Sequence, residues 1–124
     1  MADLIYKDEA YELVGICMEV HNELGAGLLE IIYKEAIEWE LDDRIIHYER
    51  EKEYPVYYKD VILNHKFYAD FVLYDSIILE LKSCDKFDSK HIAQCINYLK
   101  VSNNKLAILA NFNNKSLEHK RIVL

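Results

Sequence analysis

An aspartate that ends one apolar run, and a Glu-x-Lys pair set inside the next, constrain this chain more than any other feature. Tyr68-Ala69-Asp70 is followed by Ile77-Ile78-Leu79-Glu80-Leu81-Lys82, in sequence that otherwise reads as buried strand. Charges in such a setting are costly unless they are paired or hold a metal ion. Alternation along a strand puts Glu80 and Lys82 on one face. The face that Asp70 takes depends on the turn between the runs. A two-residue turn at Asp75-Ser76 sets Asp70 opposite Leu81 and points it away from Glu80. A three-residue loop over Asp75 to Ile77, or one bulge, shifts the register by one. We expect the shifted register, because it separates charge from hydrocarbon. Asp70 then faces Lys82, Val72 faces Glu80, and Phe71 and Leu73 meet Leu81 and Leu79.

The rest of the chain supplies elements on which such strands can be mounted. Asp8 is a plausible N-cap for an amphipathic helix with Ala10, Leu13, Val14, Cys17, Val20 and Leu24 on its apolar face. Gly25 suits its left-handed C-terminal residue. After Gly27 a second helical pattern runs through Leu28, Leu29, Ile32, Ala36, Ile37 and Leu41. The period then changes to two. Strands are expected at Ile45 to Glu51, Glu53 to Tyr58, Val61 to Leu63, Lys66 to Tyr74 and Ile77 to Lys82. Asp88 or Ser89 starts another helix, with Ile92, Cys95, Ile96 and Leu99 inward. Leu106 to Ala110 is all apolar and fits a strand covered on both faces. Arg121 to Leu124 reads as a final edge strand. This order predicts a mixed α/β domain, with helices packed on a central sheet, over residues 1–124.

Composition narrows the function classes. With 52% hydrophobic and 30% charged residues, the chain has the makings of a packed core. No apolar stretch approaches the roughly 20 residues that span a bilayer, and the N-terminus lacks the pattern of a signal peptide. Cys17, Cys84 and Cys95 have no metal-type spacing, so we expect reduced thiols and a cytoplasmic location, with Cys17 and Cys95 in the core. The formal net charge of −7 is uneven: residues 1–64 carry six Lys/Arg against sixteen Asp/Glu, and residues 65–124 carry nine against six. Any phosphate-facing surface is therefore expected on the C-terminal half.

In the shifted register Asp70 and Glu80 converge as hard oxygen donors, which suits Mg²⁺ or Mn²⁺ better than zinc. Such an ion relieves repulsion between the carboxylates and lowers the pKa of a bound water. Lys82 is placed to stabilise developing negative charge on a phosphate. A partly buried Asp–Lys–Glu network that only fixes strand register satisfies the same pattern.

The spacing Asp70-x9-Glu80-Leu81-Lys82 resembles the signature of the PD-(D/E)XK nuclease superfamily, with Ala69 where a proline often stands. Gln94-x-x-x-Tyr98 resembles the added motif of its RecB-like branch. Gly27-Leu28-Leu29-Glu30-Ile31-Ile32-Tyr33 resembles the motif that names the GxxExxY protein family, a small group within that superfamily. Leu24-Gly25, Glu40-Leu41, His91-x-x-Gln94-x-x-Asn97-Tyr98-Leu99-Lys100, Asn111-Phe112 and Lys120-Arg121 extend the similarity along nearly the whole chain. Asn113 departs from the glycine that often follows Asn-Phe, and Lys59-Asp60 and Asp75-Ser76 fill turns where glycine is common.

The resemblance implies a restriction-endonuclease-like core with Asp70, Glu80 and Lys82 in its site and Glu30 as a further carboxylate near the metal. It also implies that Gln94 approaches the phosphate or the metal-bound water, with Tyr98 nearby. Read from the residues alone, Glu30 is a solvated helix carboxylate, and Tyr98 is core with its hydroxyl satisfied by Gln94. His91 lines up with Gln94 and Tyr98, either as a phosphate contact or as a surface residue at the helix start. Lys86, Lys90, Lys100, Lys105, Lys120 and Arg121 are candidates for a backbone-binding rim. Tyr54, Tyr57, Tyr58 and Tyr68 are candidates for base stacking, with packing the default. The expected function is a metal-dependent nuclease acting on DNA or RNA, with a homo-oligomer possible. The competing expectations are a catalytically silent module binding nucleic acid or a protein partner, and a structural subunit.

Overall fold

The computed structural model describes residues 5–124. Two helices, α1 (Lys7–Leu24) and α2 (Glu30–Asp43), precede three strands, β1 (Tyr48–Tyr58), β2 (Val61–Leu73) and β3 (Ile77–Lys82). Then come α3 (Ser89–Ser102), β4 (Leu106–Asn111) and β5 (Glu118–Val123). The strands form one sheet in the order β1-β2-β3-β4-β5. All neighbours are antiparallel except β3 and β4, which run parallel because α3 carries the chain back between them. This is the central mixed sheet flanked by helices that the pattern predicts.

The two faces are covered separately. Leu13, Ile16, Cys17 and Val20 of α1 and Tyr33, Ile37 and Leu41 of α2 pack on Phe71, Leu73, Ile77, Leu79, Leu81, Leu106 and Ile108. Cys95, Tyr98 and Leu99 of α3 pack on the other face against Val72, Ile78, Ala107, Leu109 and Ile122. Full burial of a leucine-sized side chain contributes about 1.5–3 kcal/mol, so these layers hold the sheet between them. Every residue of β4 is buried, as the unbroken apolar run Leu106 to Ala110 requires, and Asn111 closes the strand.

Several local expectations shift. Tyr6, not Asp8, precedes α1 at the N-cap position, and Asp8 falls in the first turn, where a carboxylate favours the helix dipole. On α1, Ala10, Leu13, Cys17 and Val20 are buried as expected, Ile16 and His21 join them, and Leu24 is exposed. In α2 the inward residues are Tyr33, Ile37 and Leu41, and Leu28 and Leu29 lie before the helix. The paired short strands on either side of Lys59-Asp60 are each one long strand, with a register change between Pro55 and Tyr57. Asp88 caps α3 as expected, accepting from the backbone of Lys90 and His91.

The register that matters most is that of β2 with β3. An odd-numbered loop is present, but it is Tyr74-Asp75-Ser76, one residue earlier than expected. Leu73 therefore pairs with Ile77, and Phe71 with Leu79. Continuing that register sets Asp70 level with Glu80 instead of Lys82. Tyr74 and Asp75 both take left-handed backbone angles (φ 55° and 57°), which lets so short a loop close without glycine.

Candidate active site

The β2–β3 ladder brings Asp70 and Glu80 to one place and then opens around them. The Asp70 N–H donates to Glu80 Oε1 at 3.0 Å, and the Leu81 N–H donates to Asp70 Oδ2 at 2.8 Å. Each carboxylate thus accepts a backbone hydrogen from the other strand. Asp70 is 7% and Glu80 3% exposed. Burial, with the Asp70 charge alongside, pushes the Glu80 carboxyl up to about 9. Two acids this close and this dry attract a cation.

Lys82, on the same face as Glu80, donates to Gln94 Oε1 of α3 at 3.3 Å. Its position is fixed from behind. The Lys82 carbonyl accepts from Phe112 N–H at 2.9 Å. The fully buried Asn111 side chain accepts from Cys84 N–H and donates to the Cys84 carbonyl. The Asn111-Phe112 pair therefore pins the segment that leaves β3 toward α3.

A third carboxylate arrives from the other helical layer. Gly27 has a left-handed φ of 85°, a conformation that glycine adopts without strain. The Tyr33 hydroxyl donates to the Gly25 carbonyl at 2.6 Å and accepts from Leu28 N–H at 3.0 Å, while its ring stacks on Phe112 at 4.6 Å. Tyr33 thus clamps the Gly25–Leu28 loop and fixes where α2 begins, with Glu30 as its first residue. Burial, then the Asp70 charge, raises the Glu30 pKa, with Lys82 and Lys34 opposing.

Lys34, which the sequence reading passed over, stands among these acids. Its ammonium is 2.8 Å from Asp70 Oδ1, 3.2 Å from Glu51 Oε1 and 3.8 Å from Glu30 Oε1. Glu51 lies on β1 between Arg50 and Lys52, the partners of Phe71 and Ala69, and takes a left-handed φ of 53°. The Glu30–Lys34 spacing of one helical turn was the available signal for Lys34. Nothing local marked Glu51.

The structure therefore joins Asp70 with Glu80 and Lys82 with Gln94, and it links Glu30 to Asp70 through Lys34. His91 is drawn into the α3 cap instead, its Nδ1 accepting from Asp88 N–H at 3.2 Å. With Gln94, Lys90 and Asn97 it still lines an open surface groove. Tyr98 is a core residue with its ring edge-on to Phe67, and Gln94 Oε1 goes to Lys82 instead of serving its hydroxyl. Arg121 leaves the expected basic rim: it bonds the Ile5 carbonyl and lies beside Lys7 and Tyr11. Tyr57, Tyr58 and Tyr68 are exposed, against the packing default. Cys17 and Cys95 are buried free thiols, each pushed up to about 12 by burial.

The donor chemistry fits a hard divalent cation. Its donors are carboxylate oxygens, burial and then the Asp70 charge raise the Glu80 pKa, and an ammonium already sits on Asp70. Among the described residues, no three His, Cys, Asp or Glu side chains converge as a ready cage.

A sequence model of the PD-(D/E)XK nuclease superfamily matches residues 7–122, and the chain belongs to that superfamily. Among solved structures, the crystal structure of SSO0001 superposes with a TM-score of 0.61 at 22% sequence identity, a likeness of fold alone. The match covers 95% of this chain and 59% of the SSO0001 chain. No curated protein matches the chain. No helix among the described residues is long and apolar enough to cross a membrane.

Proposed function

We propose that this protein is a Mg²⁺- or Mn²⁺-dependent nuclease that hydrolyses phosphodiester bonds of DNA or RNA, on the pattern of the GxxExxY group. The observation that carries the reading is the buried Asp70–Glu80 pair beside the Lys82–Gln94 pair. Asp70, Glu80 and Glu30 are the residues that would hold the ion. When bound, the ion supplies charge neutralisation at the phosphate and a water of lowered pKa. Lys82 places a positive charge where the phosphate oxygens gain negative charge in the transition state. With its carbonyl engaged by Lys82, Gln94 has its amide N–H groups left to donate to a phosphate oxygen. His91, Lys90 and Asn97, which share the groove with Gln94, line the approach of the strand.

A lysine seated on Asp70 favours a second reading, a module that binds without turnover. Labelled single-stranded, duplex and branched DNA and RNA, incubated with Mg²⁺ or Mn²⁺, separate the two. Cleavage that is lost in Glu80→Ala and in Lys82→Ala supports the nuclease. Shifted bands without cleavage support the binding module.

A further inference from the structure

We propose that Lys34 is a built-in competitor for the metal ion, seated on Asp70 in the metal-free protein and handed to Glu51 when a divalent ion loads. The inference rests on the metal-dependent reading above and deepens it. Asp70 has two oxygens, and Oδ2 is committed to the Leu81 N–H at 2.8 Å. Oδ1 is the oxygen left for an ion, and the Lys34 ammonium holds it at 2.8 Å. Glu30, the third acid, stands 3.8 Å away across the same ammonium. A divalent ion held by Asp70 and Glu30 would compete with the Lys34 ammonium for the same carboxylate oxygens, and two cations so near one another repel.

The lysine also has somewhere to go. Its side chain is 14% exposed, whereas that of Glu51 is 49% exposed, with Oε1 already 3.2 Å from the ammonium. A small rotation about the terminal bonds of Lys34 transfers it from Asp70 to Glu51 without leaving the charge unpaired. In the meantime Lys34 keeps Asp70 from standing as a buried, unpaired anion, which is costly in any fold. The same residue therefore assembles the metal-free site and sets a threshold for loading it.

The test is calorimetric titration of Mn²⁺ into the metal-free full chain, with melting of the same samples. Wild type is compared with Lys34→Met and Lys34→Gln; the glutamine keeps a donor for Asp70 in case the methionine does not fold. Both variants are expected to bind Mn²⁺ at least about tenfold more tightly, since a cation beside the ligand oxygen is gone. Both are also expected to melt at lower temperature without metal. Glu51→Gln is expected to weaken Mn²⁺ binding in wild type and to matter less in the Lys34→Met background. Binding by the variants where wild type shows none would support the proposal further. If wild type binds Mn²⁺ and the Lys34 variants bind it equally or more weakly, the competition is wrong and the nuclease reading stands. If none of the proteins binds Mn²⁺, the competition and the metal-dependent reading fall together.

Discussion

On the face of the sheet covered by α1 and α2, the buried side chains are apolar from Leu13 to Phe112. Two polar groups on that side, Tyr33 and His21, are each satisfied by a backbone carbonyl. On the face covered by α3, the smaller apolar cluster of Val72, Ile78, Leu99 and Leu109 gives way toward the end of β3 to Glu80, Lys82 and Gln94. The strands between are shared, so the difference lies in what each face is asked to hold. Hydrocarbon tolerates exchange of shape for shape, whereas a buried charge is tolerated only with its partner in place. The first face should therefore answer to mutation in stability, and the second in chemistry.

The sharpest test of that division is a pair of truncations. On the proposed nuclease reading, Lys82→Ala is expected to lower cleavage by about 100-fold or more, as removal of a charge-stabilising donor does, with little change in melting temperature. Ile37→Ala, at a fully buried position on the other face, is expected to cost about 2–5 kcal/mol of stability while, on the same reading, the remaining folded protein keeps the cleavage of wild type. Denaturant unfolding and single-turnover cleavage on both variants read the two effects apart. A Lys82→Ala protein that unfolds, or an Ile37→Ala protein that is stable and inactive, would break the comparison.

Next in size is an effect of pH confined to the charged face. The Glu80 carboxyl is pushed up to about 9 by burial and by Asp70. The folded protein thus holds this proton more tightly than the unfolded chain does. The stability it contributes is present below the unfolded pKa and is lost as pH rises through the folded one. Metal-free wild type should therefore weaken between about pH 5 and pH 9. Glu80→Gln should flatten that slope and melt above wild type at pH 8. If Asp70 and Glu80 hold an ion, Mn²⁺ should reverse the order at pH 8, because a bound ion would take the place of the proton in wild type and would lack a ligand in the variant. Melting curves at pH 5 and pH 8, with and without Mn²⁺, test it. An unchanged slope in Glu80→Gln would move the origin of the pH dependence elsewhere.

The two faces also differed in how far they could be read from sequence. The span of β3, the apolar run Leu106 to Ala110 within β4 and the Asp88 cap of α3 are local, each written in a few consecutive residues, and each stands where expected. The odd β2–β3 loop followed from an energetic preference, that charge should be kept apart from hydrocarbon. Its placement did not, because it turns on Tyr74 and Asp75 taking left-handed angles that their residue types do not announce. The faces of α1 and α2 held at Ala10, Leu13, Cys17, Val20, Ile37 and Leu41 and failed at Leu24, Leu28, Leu29 and Ile32, since apolar residues also fill the loop before α2 and the margins of each stripe. Lys34 and Glu51 were missed for another reason. They matter through one ammonium meeting acids from a helix and two strands, and no window of sequence contains that encounter.

The smallest predicted effect lies where the two regions touch. Tyr33→Phe keeps the ring on Phe112 and removes only the hydroxyl that joins the Gly25 carbonyl to the Leu28 N–H. Both backbone groups belong to exposed residues that water can reach, so the loss should stay near about 1 kcal/mol, well under that of Ile37→Ala. The local consequence should be larger than the global one. With the clamp gone, amide hydrogens from Gly25 to Glu30 should exchange faster, and Glu30 should be held less firmly against Lys34 and Asp70. If the nuclease reading is right, cleavage should then fall by several-fold and recover at higher Mn²⁺, as for a weakened third ligand. Uniform faster exchange across α1 and α2 would instead make Tyr33 an ordinary core residue, and Glu30 would owe its position to the helix alone.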